Sequence, residues 1–181
     1  KLPDTVEDEI EAIVRTPIDY SKTPTGSKVG KIVYEEGLGE KYVNHIVSTA
    51  SSDLVGLKVV MDCSNGANSD IAPWILRLLG AEVIPIFYEP NGININNGCG
   101  STHLEALQAK VLEEGAHVGI ANDGDADRCL AVDENGDVVD GDQIMLVCAL
   151  ELMKRGKLKD NMLVTTVMSN IGMHMAMKEA R

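Results

Sequence analysis

Strand-length apolar runs that each end in a polar turn constrain this chain more than any other feature. They fall at 57–61, 83–88, 118–121 and 162–167, and are rich in Val and Ile. Between them lie segments with helical spacing, 69–79 closed by Gly80 and 102–114 closed by Gly115. Strand-turn-helix alternation of this kind predicts a parallel α/β layer. Asp133-Glu134-Asn135-Gly136 interrupts the alternation, and Asn-Gly between the apolar runs 129–132 and 138–140 predicts an antiparallel hairpin. The expected fold class is therefore α/β, a mixed, mostly parallel sheet covered by helices. Asp140 with Gln143 supplies a capping box for a very apolar helix over 144–153.

The first third reads differently. Asp4 with Glu7 has the spacing of a capping box, and Val6, Ile10, Ile13 and Val14 give one apolar face, so a helix is expected over 4–15. Residues 16–31 are Ser-, Thr-, Lys-, Pro- and Gly-rich and predict a loop; a second helix is expected over 36–48. The polar stretch 48–53 is the expected boundary. This divides the chain into 1–52, the tail of a preceding domain and its connection; 53–160, an α/β domain; and 161–181, the start of a following α/β domain. With no initiator Met, and Arg181 inside a helical pattern, the chain reads as a piece of a longer protein.

Composition narrows the partners. An apolar content of 44% supports a folded core, and with only 3% aromatics that core must be aliphatic. A net charge of −12 without a basic stripe argues against nucleic acid and against anionic membrane surfaces. It also makes any phosphate recognition local, through individual cations. No apolar run has membrane-spanning length. The four cysteines, Cys63, Cys99, Cys129 and Cys148, are widely spaced without a Cys-x-x-Cys pair, which fits a reducing, cytoplasmic setting.

The run 118–121 delivers the chain to Asn122-Asp123-Gly124-Asp125-Ala126-Asp127-Arg128. Small residues between the aspartates let the backbone curl, so alternate carboxylates can converge. Unpaired carboxylates at close range repel, and an oxygen-seeking divalent cation relieves that repulsion. Arg128 adds a fixed cationic fork suited to phosphate. A solvated acidic turn is the plain alternative. A helix-loop-helix calcium site matches at Asp123, Asp125, Asp127, Leu130 and Glu134. It fails where Arg128 replaces the sixth-position glycine and where strands replace helices. A haloacid-type hydrolase site fits less well, because Arg128 and the hairpin follow at once. A magnesium site for phosphoryl transfer fits best.

Asp123-Gly124-Asp125-Ala126-Asp127-Arg128 resembles the metal-binding loop of the α-D-phosphohexomutases. Asn94-Ile95-Asn96-Asn97-Gly98-Cys99-Gly100-Ser101-Thr102-His103 is similar to a segment of that family's bacterial glucosamine-type members; its mannose and glucose relatives usually carry a histidine- and proline-containing segment there. Asp62-Cys63-Ser64-Asn65-Gly66-Ala67 and Thr165-Thr166-Val167-Met168-Ser169-Asn170-Ile171-Gly172 fit the same group. The resemblance implies the middle of a four-domain, heart-shaped mutase that interconverts glucosamine 6-phosphate and glucosamine 1-phosphate through a phosphoserine and a sugar bisphosphate. It further implies Mg²⁺ held by Asp123, Asp125 and Asp127, Arg128 meeting phosphate or substrate, and a phosphosugar and the enzyme's remaining domains as partners. The family's serine stands in a Ser-His-Asn-Pro context, and no serine here precedes a histidine. The chain alone is therefore expected to be inactive. Another phosphohexomutase, or a non-catalytic divalent-ion-binding module, are the competing readings.

Other residues invite plainer roles. His103 is expected beside a helix N-cap, Cys99 to be structural, and Ser64 to serve turn chemistry, since no base adjoins it. His45, His117 and His174 carry no ligand spacing, and Met168, Met173, Met175 and Met177 read as apolar filler.

Overall fold

A computed structural model describes residues 2–180. The chain divides into two compact units, one ending at Glu36 and the other beginning at Gly37. In the first, α1 (Asp4–Arg15) is followed by 3-10 turns at Tyr20–Lys22 and Gly26–Lys28, and no residue of these elements is buried. The capping box expected at Asp4 does not form. Pro3 is the N-cap, and its carbonyl accepts from the amides of Val6 and Glu7 at 2.9 and 3.2 Å. The helix thus begins one residue early, with Asp4 inside the first turn, where its charge still favours the helix dipole.

The second unit carries α2 (Leu38–Thr49), β1 (Lys58–Asp62), α3 (Ile71–Leu78), β2 (Glu82–Ile86), α4 (Glu105–Glu114), β3 (Val118–Asn122), β4 (Cys129–Asp133), β5 (Val138–Val139), α5 (Gly141–Lys154) and α6 (Ile171–Glu179). Its five strands form one sheet in the order β2-β1-β3-β4-β5. β1 runs parallel to both β2 and β3, and the β3-β4 and β4-β5 pairs are antiparallel. This is the α/β mixed sheet that the alternating pattern predicts, hairpin included. The capping box of α5 forms in full between Asp140 and Gln143.

Period-two alternation gives the sheet two buried faces. On one, Val60, Ala121 and Val132 pack with Leu107 and Val111 of α4 and with Ala116, and Ile84, Ile86 and Leu104 close the edge. Gly119 lets α4 settle: a Cβ there would stand 2.7 Å from Val111 Cγ2 and 2.9 Å from Leu107 Cδ1. On the other face Met61 and Ile120 line a shallow groove with Tyr42 and Ile46 of α2 and Ile71 and Ile75 of α3. Among the described residues no helix is long and apolar enough to cross a membrane.

Two expectations shift. Helix α4 starts at Glu105 rather than 102, because residues 100–103 close a turn in which the His103 amide donates to the Gly100 carbonyl at 3.0 Å. The segment 162–167 is not a strand. A strand needs a ladder partner, and none pairs with this segment among the described residues; Val164 and Val167 are 82% and 100% exposed. What matters for function is one edge. The carboxyl ends of β1, β2 and β3 lie together, and their loops are 63–70, 87–104 and 123–128.

Candidate metal centre

The acidic loop leaves β3 at Asn122 and turns within four residues. Ala126 takes φ +62° and its amide donates to the Asp123 carbonyl at 3.0 Å. A positive φ is tolerable for Ala at a modest strain, so the turn depends on a small residue here. The curl brings one carboxylate oxygen from each of Asp123, Asp125 and Asp127 within 4.8 Å of one another. Asp123 is buried while Asp125 and Asp127 face solvent, so the cluster opens outward.

Arg128 folds back on the cluster. Its Nε donates to Asp123 Oδ2 at 2.7 Å and its amide to Asp123 Oδ1 at 3.1 Å, while Asp127 lies 3.8 Å from Nε. Burial pushes the Asp123 carboxyl up, but the hydrogen bonds and charge of Arg128 outweigh it and bring it down to about 2. Asp127 is raised, first by the charge of Asp125 and then by that of Asp123. One acid is thus neutralised internally, and the other two keep a mutual repulsion that a divalent cation would relieve. The Arg128 side chain is 61% exposed, and both ion-pair contacts use Nε, so its terminal amino groups remain available to an anion.

Neighbouring loops hold the acidic loop from below. The Asn122 carbonyl accepts from Ser64 Oγ and, at 3.1 Å, from the Ser101 amide. The Asn122 side chain donates to the Arg128 carbonyl at 2.8 Å and accepts from Asn68 Nδ2 at 3.1 Å. The Gly124 carbonyl accepts from the Ala67 amide at 2.8 Å. Gly66 backs so closely onto this strand of the loop that a Cβ there would lie 2.7 Å from Gly124 Cα. Ile95 and Asn96 cover Gly124 from the other side: a Cβ on it would sit 2.6 Å from Ile95 Cγ1 and 2.9 Å from Asn96 Nδ2.

All four residues singled out in the acidic loop therefore sit together. Sequence reasoning passed over Asn122, Asn68 and Asp62, and gave Ser64 no more than turn chemistry. Ser64 is fully buried at φ +54° and bonds two other loops, a role for which adjacency to Asn65-Gly66 was the only local signal. The remaining candidates stay apart from the carboxylates. His103 Nδ1 pairs with Thr102 Oγ1 at 3.1 Å beside the N-cap Leu104, and His117 Nδ1 accepts from the Lys58 amide at 2.9 Å. Cys99 is fully buried, out of reach of a substrate, and burial, then the charge of Asp62, pushes its thiol up.

Hard oxygen donors beside an unsaturated guanidinium can hold a divalent ion and an anion together. The family description "Phosphoglucomutase/phosphomannomutase, alpha/beta/alpha domain II" matches residues 40–136, and that of domain III matches residues 140–181. The chain is 56% identical over 178 residues to a protein of Symbiobacterium thermophilum named phosphoglucosamine mutase, covering 98% of the chain and 40% of that protein. A protein of the same name from Mycobacterium marinum is 51% identical over 180 residues, covering 99% of the chain and again 40% of the relative. The chain thus spans about two fifths of the length of these curated relatives. A crystal structure of a phosphoglucomutase/phosphomannomutase family protein from Burkholderia thailandensis superimposes with a TM-score of 0.63 at 26% identity, covering 86% of this chain and 33% of that one. With the domain II description spanning more than half of its residues, the chain belongs to the phosphoglucomutase/phosphomannomutase family.

Proposed function

We propose that the chain is the metal-bearing middle of a phosphoglucosamine mutase, which interconverts glucosamine 6-phosphate and glucosamine 1-phosphate. The observation that carries the reading is the convergence of Asp123, Asp125 and Asp127 within 4.8 Å beside an exposed Arg128. The names of the relatives at 56% and 51% identity support the amino sugar as substrate. Residues 53–160 are the proposed metal-loop domain, with 1–52 the tail of a preceding domain and 161–181 the start of the next. The rest of such an enzyme, with its nucleophilic serine, is the proposed partner of this piece. A cytoplasmic setting goes with four free cysteines and a phosphosugar substrate.

Phosphoryl transfer asks the protein for positioning and for positive charge against phosphoryl oxygens. Mg²⁺ suits a site of few carboxylates and supplies that charge when bound, with positions left for phosphate and water. Asp123, Asp125 and Asp127 would hold it. Arg128, anchored through Nε by Asp123, presents its remaining donors to a phosphate oxygen pair.

Two comparisons on the complete enzyme test the reading. Its kcat/KM for glucosamine 6-phosphate should exceed that for glucose 6-phosphate; equal values, or a preference for the neutral sugar, would leave a phosphohexomutase of another specificity. Asp125→Asn should cut Mg²⁺-dependent turnover far more than thermal stability, because it removes a charge that now repels Asp127. A fully active Asp125→Asn enzyme would reduce the acidic loop to a structural turn.

A further inference from the structure

Asp62 ends β1 with a carboxylate that is 0% exposed, and no cation pairs with it among the described residues. Burying a carboxylate without a counter-charge is costly, and between Met61 and Cys63 an apolar side chain of similar size would bury without that penalty. The carboxylate is spent instead on two main-chain amides, accepting from Ser64 N through Oδ1 and from Gly100 N through Oδ2, both at 2.8 Å. Both bonds lead to the acidic loop. Beyond Ser64 N, the Ser64 hydroxyl donates to the Asn122 carbonyl; beyond Gly100 N, the Ser101 amide donates to that same carbonyl at 3.1 Å. Asn122 immediately precedes Asp123. Gly100, at φ +79°, leaves no slack in the arrangement, since a Cβ there would stand 2.7 Å from the Asn122 carbonyl oxygen.

We propose that Asp62 is a positioning residue for the metal centre: by fixing the main chain at Ser64 and Gly100, it sets the two donors that hold the Asn122 carbonyl and so aims Asp123 at the shared site. The role rests on the reading of the three aspartates as a divalent-cation site. Asp62 touches neither ion nor substrate and acts through the backbone of three loops. Asparagine in its place keeps the volume but turns an NH₂ group toward one of the two amides. That frees one side of the clamp while leaving β1 filled.

The test is Mn²⁺ binding to the 181-residue chain, read from the paramagnetic resonance signal of the free ion, alongside thermal unfolding. Asp62→Asn should weaken Mn²⁺ about tenfold, the factor for a buried hydrogen bond to a charged group left half-made. Ser64→Ala, which removes one of the two grips on the Asn122 carbonyl without disturbing β1, should weaken it about threefold. A folded Asp62→Asn chain with wild-type Mn²⁺ affinity overturns the proposal, and a lowered melting temperature with unchanged affinity marks Asp62 as a brace alone. Should Asp62→Asn fail to fold, Ser64→Ala decides, and unchanged affinity there sinks the idea. An Asp125→Asn control that binds Mn²⁺ as tightly as wild type would instead bring down the metal reading, and this role with it.

Discussion

Gly66→Ala tests how tightly the metal loop is wedged. The Gly66 backbone is not in a left-handed conformation, so alanine adds no torsional strain, and the whole effect must come from contact. Its Cβ would lie 2.7 Å from Gly124 Cα and 2.8 Å from Gly124 C, whereas ordinary contact begins at 3.4 Å. These neighbours are backbone, so no side chain can swing away. The Gly124 carbonyl oxygen would be nearer still, so between Asp123 and Asp125 the loop must retreat by more than the 0.7 Å that separates 2.7 from 3.4 Å at Gly124 Cα. Overpacking on this scale costs about 1–3 kcal/mol of stability. Displacing a catalytic group by nearly an ångström costs on the order of a hundredfold in rate. The complete enzyme carrying Gly66→Ala should therefore lose about two orders of magnitude in kcat/KM, measured well below its melting temperature. Gly141→Ala is the control: it lies in the first turn of α5, and a Cβ there meets nothing within 4 Å. It should keep its activity and gain up to about 1 kcal/mol from helix propensity. A Gly66→Ala enzyme with wild-type activity and melting temperature would refute the wedge.

Further outcomes concern the core, the acid loop and the isolated chain. Gly119→Ala should cost about 1–3 kcal/mol by pressing β3 against Val111 and Leu107, and in denaturant titrations pairing it with Val111→Ala should recover at least about 1 kcal/mol of the summed single losses. Strict additivity would mean that α4 does not rest on Gly119. In the metal-free chain the Asp123 carboxyl is depressed to about 2 from 3.8, so its pairing with Arg128 stabilises the fold above pH 3.8 and is lost as pH falls toward 2. The stability difference between wild type and Arg128→Ala should accordingly be constant near neutrality and shrink across that acid window; a difference unchanged down to pH 2 would contradict the pairing. Because no serine precedes a histidine in the sequence, the purified 181-residue chain should neither take up phosphate on a serine nor convert glucosamine 6-phosphate, and measurable turnover would count against the proposed division of labour.

What could be read from the sequence was local. The capping box at Asp140 and Gln143, the hairpin at Asn135-Gly136 and the curl of the acidic loop each depend on residues within a few positions of one another, where backbone preference and side-chain reach decide the outcome. Even local rules competed at Asp4, where Pro3 took the cap first. The segment 162–167 had the composition of a strand, but a strand exists only against a neighbour, and among the described residues it has none. Tertiary structure alone decided what supports the site. Ser64 reaches across 58 positions to the Asn122 carbonyl, and Asp62 across 38 to the Gly100 amide. No periodicity or spacing encodes such pairs, because they arise only when parallel β1 and β3 bring the loops at their carboxyl ends side by side. The aspartates could be named from their spacing, whereas the backbone bonds that aim them depend on how the sheet is assembled.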